Sequence, residues 1–470
     1  MCGTGYCHED IKKIMFTIHE ILEATGGTLI AGKSTQRLSG VSTDTRLVKR
    51  NQIFVALKGD NFDGHHFLAQ AIEKGARAVV VSSVKALVPA GAAVVLVEDT
   101  VRALGRIARY HRQRFNIPVI AITGSAGKTS TKELIAAVMA KKCRVLFNKG
   151  TENNHIGVPM TLLKLNRRHQ AAVIEMGTNH PGEIAWLAEN TLPTVAVFTN
   201  VGASHLEGLG TPQGVYKEKL ALLKFLSRDG HVIVNADDPF WARLLKKRLS
   251  QKVVSYGIKA RADVQAIAVT ADARGFHFKM KDGRLFIVKS PSWGAVQNAL
   301  AAIACGRIFA VPEARIQAAL KSAKPAKGRQ SLAVVRGVTL IDDTYNANPV
   351  SYQNALRTLA MLQGHARAVL VAADMLELGE HSVDLHRQIG QAAAGIKLDA
   401  LFTCGKNARL IGEAAQGKRS TLDVRHFSDQ TALTLALKRY LRRGDLFLCK
   451  GSRGMRMEKV VEDIVVFLKG

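Results

Sequence analysis

The sequence predicts an α/β protein of three domains. Three observations carry that expectation. The chain has 470 residues, about three units of ~150 residues each. Short apolar runs of the buried-strand type alternate with helical stretches. Most of those runs end in a cluster of polar residues or glycines, the place where open parallel sheets meet a ligand.

The first block is 1–112. A short helix over 16–24 is closed by Gly26-Gly27, and strand-like runs follow at 52–57, 76–81 and 92–97, with a helix over 68–74. The cluster Ser42, Thr43, Asp44, Thr45 and Arg46 reads equally as a contact for a polar ligand or as a turn, because these residue types favour turns. A basic amphipathic helix over 101–116 leads into the next block.

The second block is 113–325. Its run 119–122 ends in Thr123-Gly124-Ser125-Ala126-Gly127-Lys128-Thr129-Ser130, followed by a helix. Backbone N–H groups in such a turn, the positive end of the helix and the Lys128 charge suit a polyphosphate. Thr129 offers a hydroxyl to a phosphate-bound Mg²⁺. The standard loop reads G-x-x-x-x-G-K-S/T, and Ile122 stands where its first glycine would be. The run 171–174 ends in Glu175, and the run 194–198 ends in Thr199-Asn200-Val201-Gly202 with His205 just beyond. A parallel sheet would bring Lys128, Thr129, Glu175 and His205 to one edge, as a nucleotide–metal site requires. The polar run 150–159, with Asn153 and Asn154, either orients a ligand or caps a helix. Lys219 falls in a helix over 213–226 whose charged face, taken alone, is ordinary surface.

The stretch 321–330, rich in Lys, Pro and Gly, is a linker or the opening of the third block, 326–470. Four more strand-like runs, 338–341, 368–371, 401–403 and 446–448, again end in polar or glycine-rich turns. This suggests a second ligand-binding edge in a Rossmann-like domain that lacks G-x-G-x-x-G.

Composition narrows the partners. Sixty-six basic against 38 acidic residues give a net charge of +28, which favours anionic partners or serves solubility. No nucleic-acid motif is present and aromatics are only 6%, thin for base stacking, so no nucleic-acid partner is expected. The six cysteines, including Cys2 and Cys7, form no CxxC pair, which argues against a metal cluster or disulfide framework and fits a reducing cytoplasm. No apolar run approaches the ~20 residues of a membrane span, and residues 1–13 lack the apolar core of a secretory signal.

Together these motifs resemble the Mur ligases, the ATP-dependent amino-acid ligases of peptidoglycan synthesis, over nearly the whole chain. Thr123 to Thr129 is similar to that family's own variant of the phosphate loop, which accounts for Ile122. Thr43-Asp44-Thr45-Arg46, the run 54–59 and Asp63-Gly64 resemble its N-terminal UDP-sugar domain. Asn153-Asn154-x-Ile156-Gly157-x-Pro159 and Glu175-Met176-Gly177 are similar to family motifs as well. The stretches 342–349, 374–379 and 451–458 resemble the branch that adds D-alanyl-D-alanine, and the Asp-Asn-Pro-Arg signature of the diaminopimelate-adding branch is absent.

The resemblance implies an N-terminal UDP-sugar-binding domain, a central ATP-binding domain on a P-loop-type, mostly parallel sheet, and a Rossmann-like C-terminal ligase domain. It implies ATP and Mg²⁺, UDP-N-acetylmuramoyl-tripeptide and D-alanyl-D-alanine, and a cytoplasmic monomer without membrane insertion. Lys128, His205 and Lys219 become catalytic. Gly124, Ser125, Ala126, Gly127, Lys128, Thr129, Ser130, Asn298, Arg329 and Asp343 become ATP contacts. Thr129, Glu175, His205 and Lys219 become metal ligands, the lysine as an anionic carbamate able to hold a hard cation. Ser42, Thr43, Asp44, Thr45, Arg46, Asn153, Asn154, Tyr345, Asn346, Asn348 and Arg453 become substrate contacts. Two positions depart from the family pattern. Gly294-Ala295 replaces its His-Asn ahead of Asn298, and Ala373 replaces a glycine before Asp374. Three alternatives stay open: a sister ligase adding another amino acid, a ligase of the folylpolyglutamate synthetase kind, and a basic nucleic-acid-binding protein without turnover.

Overall fold

Strands buried on both faces must be apolar at nearly every position. Val119–Thr123, Ala171–Glu175 and Val195–Phe198 meet that demand and are buried throughout. They are adjacent strands of a nine-stranded sheet in the computed structural model, which describes residues 14–59, 62–83, 91–272, 275–324 and 327–470. Residues 1–13 with Cys2 and Cys7, and Pro325-Ala326 of the 321–330 joint, lie outside the described residues.

The chain forms two compact units that do not follow its linear order: 1–117 with 152–168 and 186–192, and 118–151 with 169–185 and 193–470. In the second unit the nine strands run in the order Val145–Phe147, Ala171–Glu175, Val119–Thr123, Val195–Phe198, His231–Asn235, Lys252–Gly257, Val264–Asp272, Gly275–Met280, Leu285–Val288. The first seven are parallel and the last two extend the sheet antiparallel. The helices Lys128–Met139, Ala295–Ile308 and Glu313–Ser322 supply apolar faces to the core that covers this sheet.

The same unit holds a six-stranded sheet ordered Ser331–Val335, Val338–Asp343, Leu446–Lys450, Ala368–Ala373, Ala400–Cys404, Asp423–Phe427. Only Ser331–Val335, at its edge, is antiparallel. Apolar clusters cover both faces of it. The polar turns after the strands therefore gather at the carboxyl edges of both sheets, as the sequence pattern anticipates. The helix read over 213–226 is shorter than expected. An α-helix spans Pro212–Leu220, and the chain then tightens into a 3-10 helix, Ala221–Phe225, a common way for the last turn to satisfy its carbonyls.

The first unit has a five-stranded sheet ordered Thr28–Ala31, Ala93–Leu96, Ala78–Val81, Gln52–Val55, Gly40–Ser42, antiparallel only at Thr28–Ala31. The helix Thr100–Gln113 is capped by Asp99, which accepts from the N–H groups of Val101 and Arg102. Arg112 on that helix is buried, and its guanidinium donates to the carbonyls of Thr191 (3.2 Å) and Ile117 (3.0 Å). Such a buried cation needs its donors filled, which explains why 186–192 packs with this unit.

Candidate active site

Ile122 explains the shortened phosphate loop. It pairs with Glu175 on one side and Val197 on the other, so the strand continues to Thr123 and the turn proper is only Gly124 to Gly127. Both glycines are required by space as well as by backbone. A Cβ on Gly124 (φ 153°) would lie 1.8 Å from Thr199 Oγ1, and one on Gly127 (φ 81°) would lie 2.7 Å from Asn298 Oδ1. The loop is clamped by Asn200 and Thr199. Ala126 N–H donates to Asn200 Oδ1 (2.8 Å), Asn200 Nδ2 donates to the Ala126 carbonyl (3.1 Å), and Thr199 Oγ1 donates to the same carbonyl (2.7 Å). Ser125 N–H donates to the Asn200 carbonyl at 2.9 Å.

Lys128 opens the helix Lys128–Met139, with Ser130 in the same first turn, and its Nζ donates to the Gly124 carbonyl (2.8 Å). Burial lowers its pKa from the ordinary lysine value, opposed by Glu175 and assisted by Arg329. Asn298 accepts from Thr131 Oγ1 at 3.1 Å, so it stands against the loop. Thr129 Oγ1 is buried with no hydrogen-bond partner among the described residues. That orphaned hydroxyl is a hard-oxygen donor of the kind a phosphate-bound Mg²⁺ takes. The residues therefore fit Mg²⁺ arriving with a nucleotide. Among the described residues no three His, Cys, Asp or Glu side chains form a cage for a bare ion.

Three supporting residues were not singled out in the sequence. Lys132 is fully buried one helical turn after Lys128. It donates to the carbonyls of Asn148 (2.7 Å) and Gly150 (3.0 Å) and lies 4.0 Å from Glu175 Oε2. The Asn148 side chain pairs with the Glu175 backbone, accepting from its N–H (2.9 Å) and donating to its carbonyl (3.1 Å). The one available signal was a lysine four positions after Lys128, on the same helix face. Glu218 is committed to backbone, accepting from Gly182 and Ile184 N–H at 2.7 Å each. Its neighbour Lys219 is 1% exposed. Burial holds the Lys219 pKa well below the ordinary lysine value, with Lys128 adding to the depression and Glu218 opposing it.

The C-terminal sheet brings a second group to the same unit. Asp343 is buried and ion-paired with buried Lys450 at 2.8 Å, and Lys450 also donates to the Asn346 carbonyl at 3.0 Å. Burial raises the Asp343 pKa against the pull of Lys450. Lys450→Met should leave that carboxylate without its cation and destabilise the protein by roughly 3–5 kcal/mol, read as a lower urea midpoint. A loss below about 1 kcal/mol would show that the Gln330 side chain, 3.3 Å from Asp343, satisfies it alone. The Tyr345 ring carries the Arg329 guanidinium at 4.1 Å and that of Arg453 at 5.5 Å. Asn348 caps the helix Pro349–Leu362 and also donates through Nδ2 to the Ser125 carbonyl at 3.2 Å. The C-terminal motif thus touches the phosphate loop.

Beside that contact lies a cleft lined by Ser204, His205, Asn346, Asn348, Leu376, Glu377, Ser452 and Arg453, with Ala347 and Gly454. His205 Nδ1 is 2.5 Å from Glu377 Oε2. Behind the cleft wall His386 is fully buried. Its Nε2 accepts from Met375 N–H (3.0 Å) and its Nδ1 lies 2.6 Å from the Ser382 carbonyl, the bonding of a neutral ring. Burial lowers its pKa, although Ser382 and Asp374 favour the proton. The unfolded chain takes up that proton near pH ~6.5 and the folded chain does not. Stability should therefore fall as pH drops from about 6.5 toward the lower folded pKa, by up to ~1.4 kcal/mol per pH unit. Thermal unfolding between about pH 7.5 and 5.5 should show a steeper slope in the wild type than in His386→Gln, where the other burial-lowered histidines still contribute; parallel curves would refute it.

The remaining predicted contacts lie in the other unit. There the cluster 42–46 is a self-bonded turn. Arg46 Nη2 pairs with Asp44 Oδ2 at 2.7 Å, Ser42 Oγ donates to the Asp44 carbonyl at 3.0 Å, and Thr45 Oγ1 donates to Gln70 Oε1 at 2.6 Å. The hydrogen bond from Arg46 lowers the Asp44 pKa. Thr43 is partly buried within this turn. Asn154 Oδ1 accepts from Ile156 (3.2 Å) and Gly157 N–H (2.9 Å), so it caps the helix Gly157–Leu162, and Asn153 precedes it.

Comparison with known proteins accords with this arrangement. Family models match in three places: "Mur ligase family, catalytic domain" at residues 37–112, "Mur ligase middle domain" at 122–306 and "Mur ligase, glutamate ligase domain" at 328–453. The chain is 36% identical over 452 residues to the Bacillus subtilis (strain 168) protein named UDP-N-acetylmuramoyl-tripeptide–D-alanyl-D-alanine ligase, spanning 96% of this chain and 98% of that protein. A crystal structure of MurF from Acinetobacter baumannii superposes with a TM-score of 0.88 at 32% identity, covering 96% of this chain and 99% of that one. MurF ligase from Thermotoga maritima in complex with ADP superposes with a TM-score of 0.82 at 28% identity, covering 92% and 98%.

Proposed function

The chain belongs to the Mur ligase family, and from that premise we propose that it joins D-alanyl-D-alanine to UDP-N-acetylmuramoyl-tripeptide at the expense of ATP. The product is the UDP-muramoyl-pentapeptide of peptidoglycan synthesis. The observation that carries the proposal is the contact between an acceptor cleft and a phosphate loop: Asn348, which lines the cleft, donates to Ser125 of the loop.

The chemistry runs in two steps. The tripeptide carboxylate attacks the γ-phosphorus of ATP, and ADP leaves as an acyl phosphate forms. The dipeptide amine then attacks the acyl carbon, loses a proton and displaces phosphate. Lys128 and the N–H groups of Gly124 to Gly127 would align the phosphates, with Ser130 at the helix start and Asn298, Arg329 and Asp343 around the nucleotide. Thr129 and Glu175 would hold one Mg²⁺, with His205 and carbamylated Lys219 at a second. When bound, Mg²⁺ neutralises charge on the transferring phosphoryl group. Tyr345, Asn346, Asn348 and Arg453 would face the incoming dipeptide. Residues 42–46, Asn153 and Asn154 would face the UDP-sugar substrate. The corresponding division of labour is 1–112 for the UDP-substrate, 113–325 for ATP and 326–470 for ligation. We place the protein in the cytoplasm, where ATP is available. Among the described residues no helix is long and apolar enough to cross a membrane.

The test is phosphate release from ATP with UDP-N-acetylmuramoyl-tripeptide present. Release should depend on D-alanyl-D-alanine and accompany a product heavier by that dipeptide less water. Release indifferent to the dipeptide, or equally driven by single amino acids or glutamate, would sink the assignment in favour of a sister or folylpolyglutamate-type ligase.

A further inference from the structure

We propose that Glu377 is a positioning residue for His205: its carboxylate accepts a hydrogen bond from Nδ1–H and so leaves the Nε2 lone pair for the metal. The inference rests on the functional reading above, in which His205 serves a Mg²⁺ site.

The geometry is specific. Glu377 belongs to the turn after Ala368–Ala373 in the C-terminal sheet, and His205 to the loop after Val195–Phe198 in the central sheet. The two meet at 2.5 Å through Oε2 and Nδ1. Both backbones are left-handed, with φ of 62° at Glu377 and 55° at His205. Neither residue is glycine, and side chains held in that region persist only where surrounding structure fixes them. That structure is present. Leu376 N–H donates to Ser452 Oγ (2.9 Å), Ser452 N–H donates to the Asp374 carbonyl (3.0 Å), and Glu207 N–H donates to the Glu377 carbonyl (3.3 Å). The turn bearing Glu377 is thus tied to the C-terminal sheet and to the segment bearing His205.

A histidine has two ring nitrogens, and the bond made by one decides what the other can do. Metal-binding histidines almost always donate their second N–H to a carboxylate or carbonyl, which fixes ring orientation and raises basicity. The Glu377–His205 pair has that form, with the carboxylate and the ring on different sheets. The metal site would then be complete only when the C-terminal sheet stands against the loop of the central one. The competing role for Glu377, on the rim of the same cleft as Arg453, is to accept the ammonium of the incoming dipeptide directly.

The experiment titrates Mn²⁺, a paramagnetic stand-in for Mg²⁺, into the full chain with a non-hydrolysable ATP analogue, reading free ion by electron paramagnetic resonance. His205→Ala and Glu377→Ala should each weaken one class of bound Mn²⁺ by about 10- to 100-fold. Glu377→Gln, which keeps an acceptor of the same size, should fall between wild type and Glu377→Ala. The double variant should bind no more weakly than His205→Ala alone, because Glu377 acts through the ring. Wild-type Mn²⁺ affinity in Glu377→Ala, with His205→Ala weakened, overturns the positioning role and leaves the metal role of His205 standing. Unchanged affinity in His205→Ala overturns both. A raised KM for D-alanyl-D-alanine in Glu377→Gln with unchanged Mn²⁺ binding assigns Glu377 to the ammonium and also overturns the proposal.

Discussion

Lys128→Ala is expected to lower kcat/KM for ATP by about 10³-fold, ~4 kcal/mol of transition-state stabilisation. The side chain is partly buried at a helix N-terminus, in a loop whose other groups are neutral donors. No other side chain in Gly124 to Thr129 carries a charge, so nothing in the loop would replace the ammonium proposed to meet the γ-phosphoryl oxygens. The fold should survive, since the bond lost is one to the Gly124 carbonyl. Steady-state ADP formation at saturating tripeptide and dipeptide measures the effect, with thermal unfolding as the control for folding. A fall of less than about tenfold, equivalent to ~1.4 kcal/mol, would mean that the phosphates are held elsewhere.

Lys219→Met is expected to reduce activity by about 10²-fold or more and to lack the carbamate signal expected of the wild type in ¹³C NMR under ¹³CO₂. Only a neutral amine attacks CO₂, and here burial first, and Lys128 second, favour the neutral form. Stripping CO₂ from the buffer should lower wild-type activity reversibly and leave Lys219→Met unchanged. Full activity in CO₂-free buffer, or a labelled signal that persists in Lys219→Met, would rule out the modification.

Much of this site was legible because parallel strands advertise their ends. An apolar run followed by Gly124 to Thr129, and another followed by Glu175, could be placed side by side from the pattern alone. The register Ile122 opposite Glu175 then followed from packing. What stayed hidden depends on distance along the chain. Asn200 and Thr199 grip the phosphate loop from 74 and 73 residues away, and no local pattern marks a side chain as a clamp. Lys132 drew no reading because lysines are usually on the surface, yet it is buried against Asn148 and Gly150. Glu377 sat inside a motif that had been recognised, but only the crossing of two sheets brings it to His205. The antiparallel extension from Val264–Asp272 to Leu285–Val288 was also not read, since its strands alternate in burial and end in no ligand-like turn. The turn at 42–46 shows the opposite case. Its polar residues were conspicuous, and in the fold they bond largely to one another.

The clamp on the phosphate loop bears on when its ordering is accomplished. Ala126 and Ser125 are held by hydrogen bonds with the chain's own Asn200, Thr199 and Asn348. The conformational entropy of shaping that cradle is lost while the polypeptide folds, not when nucleotide arrives. Nucleotide association is then expected to require little rearrangement of the loop at this end of the molecule.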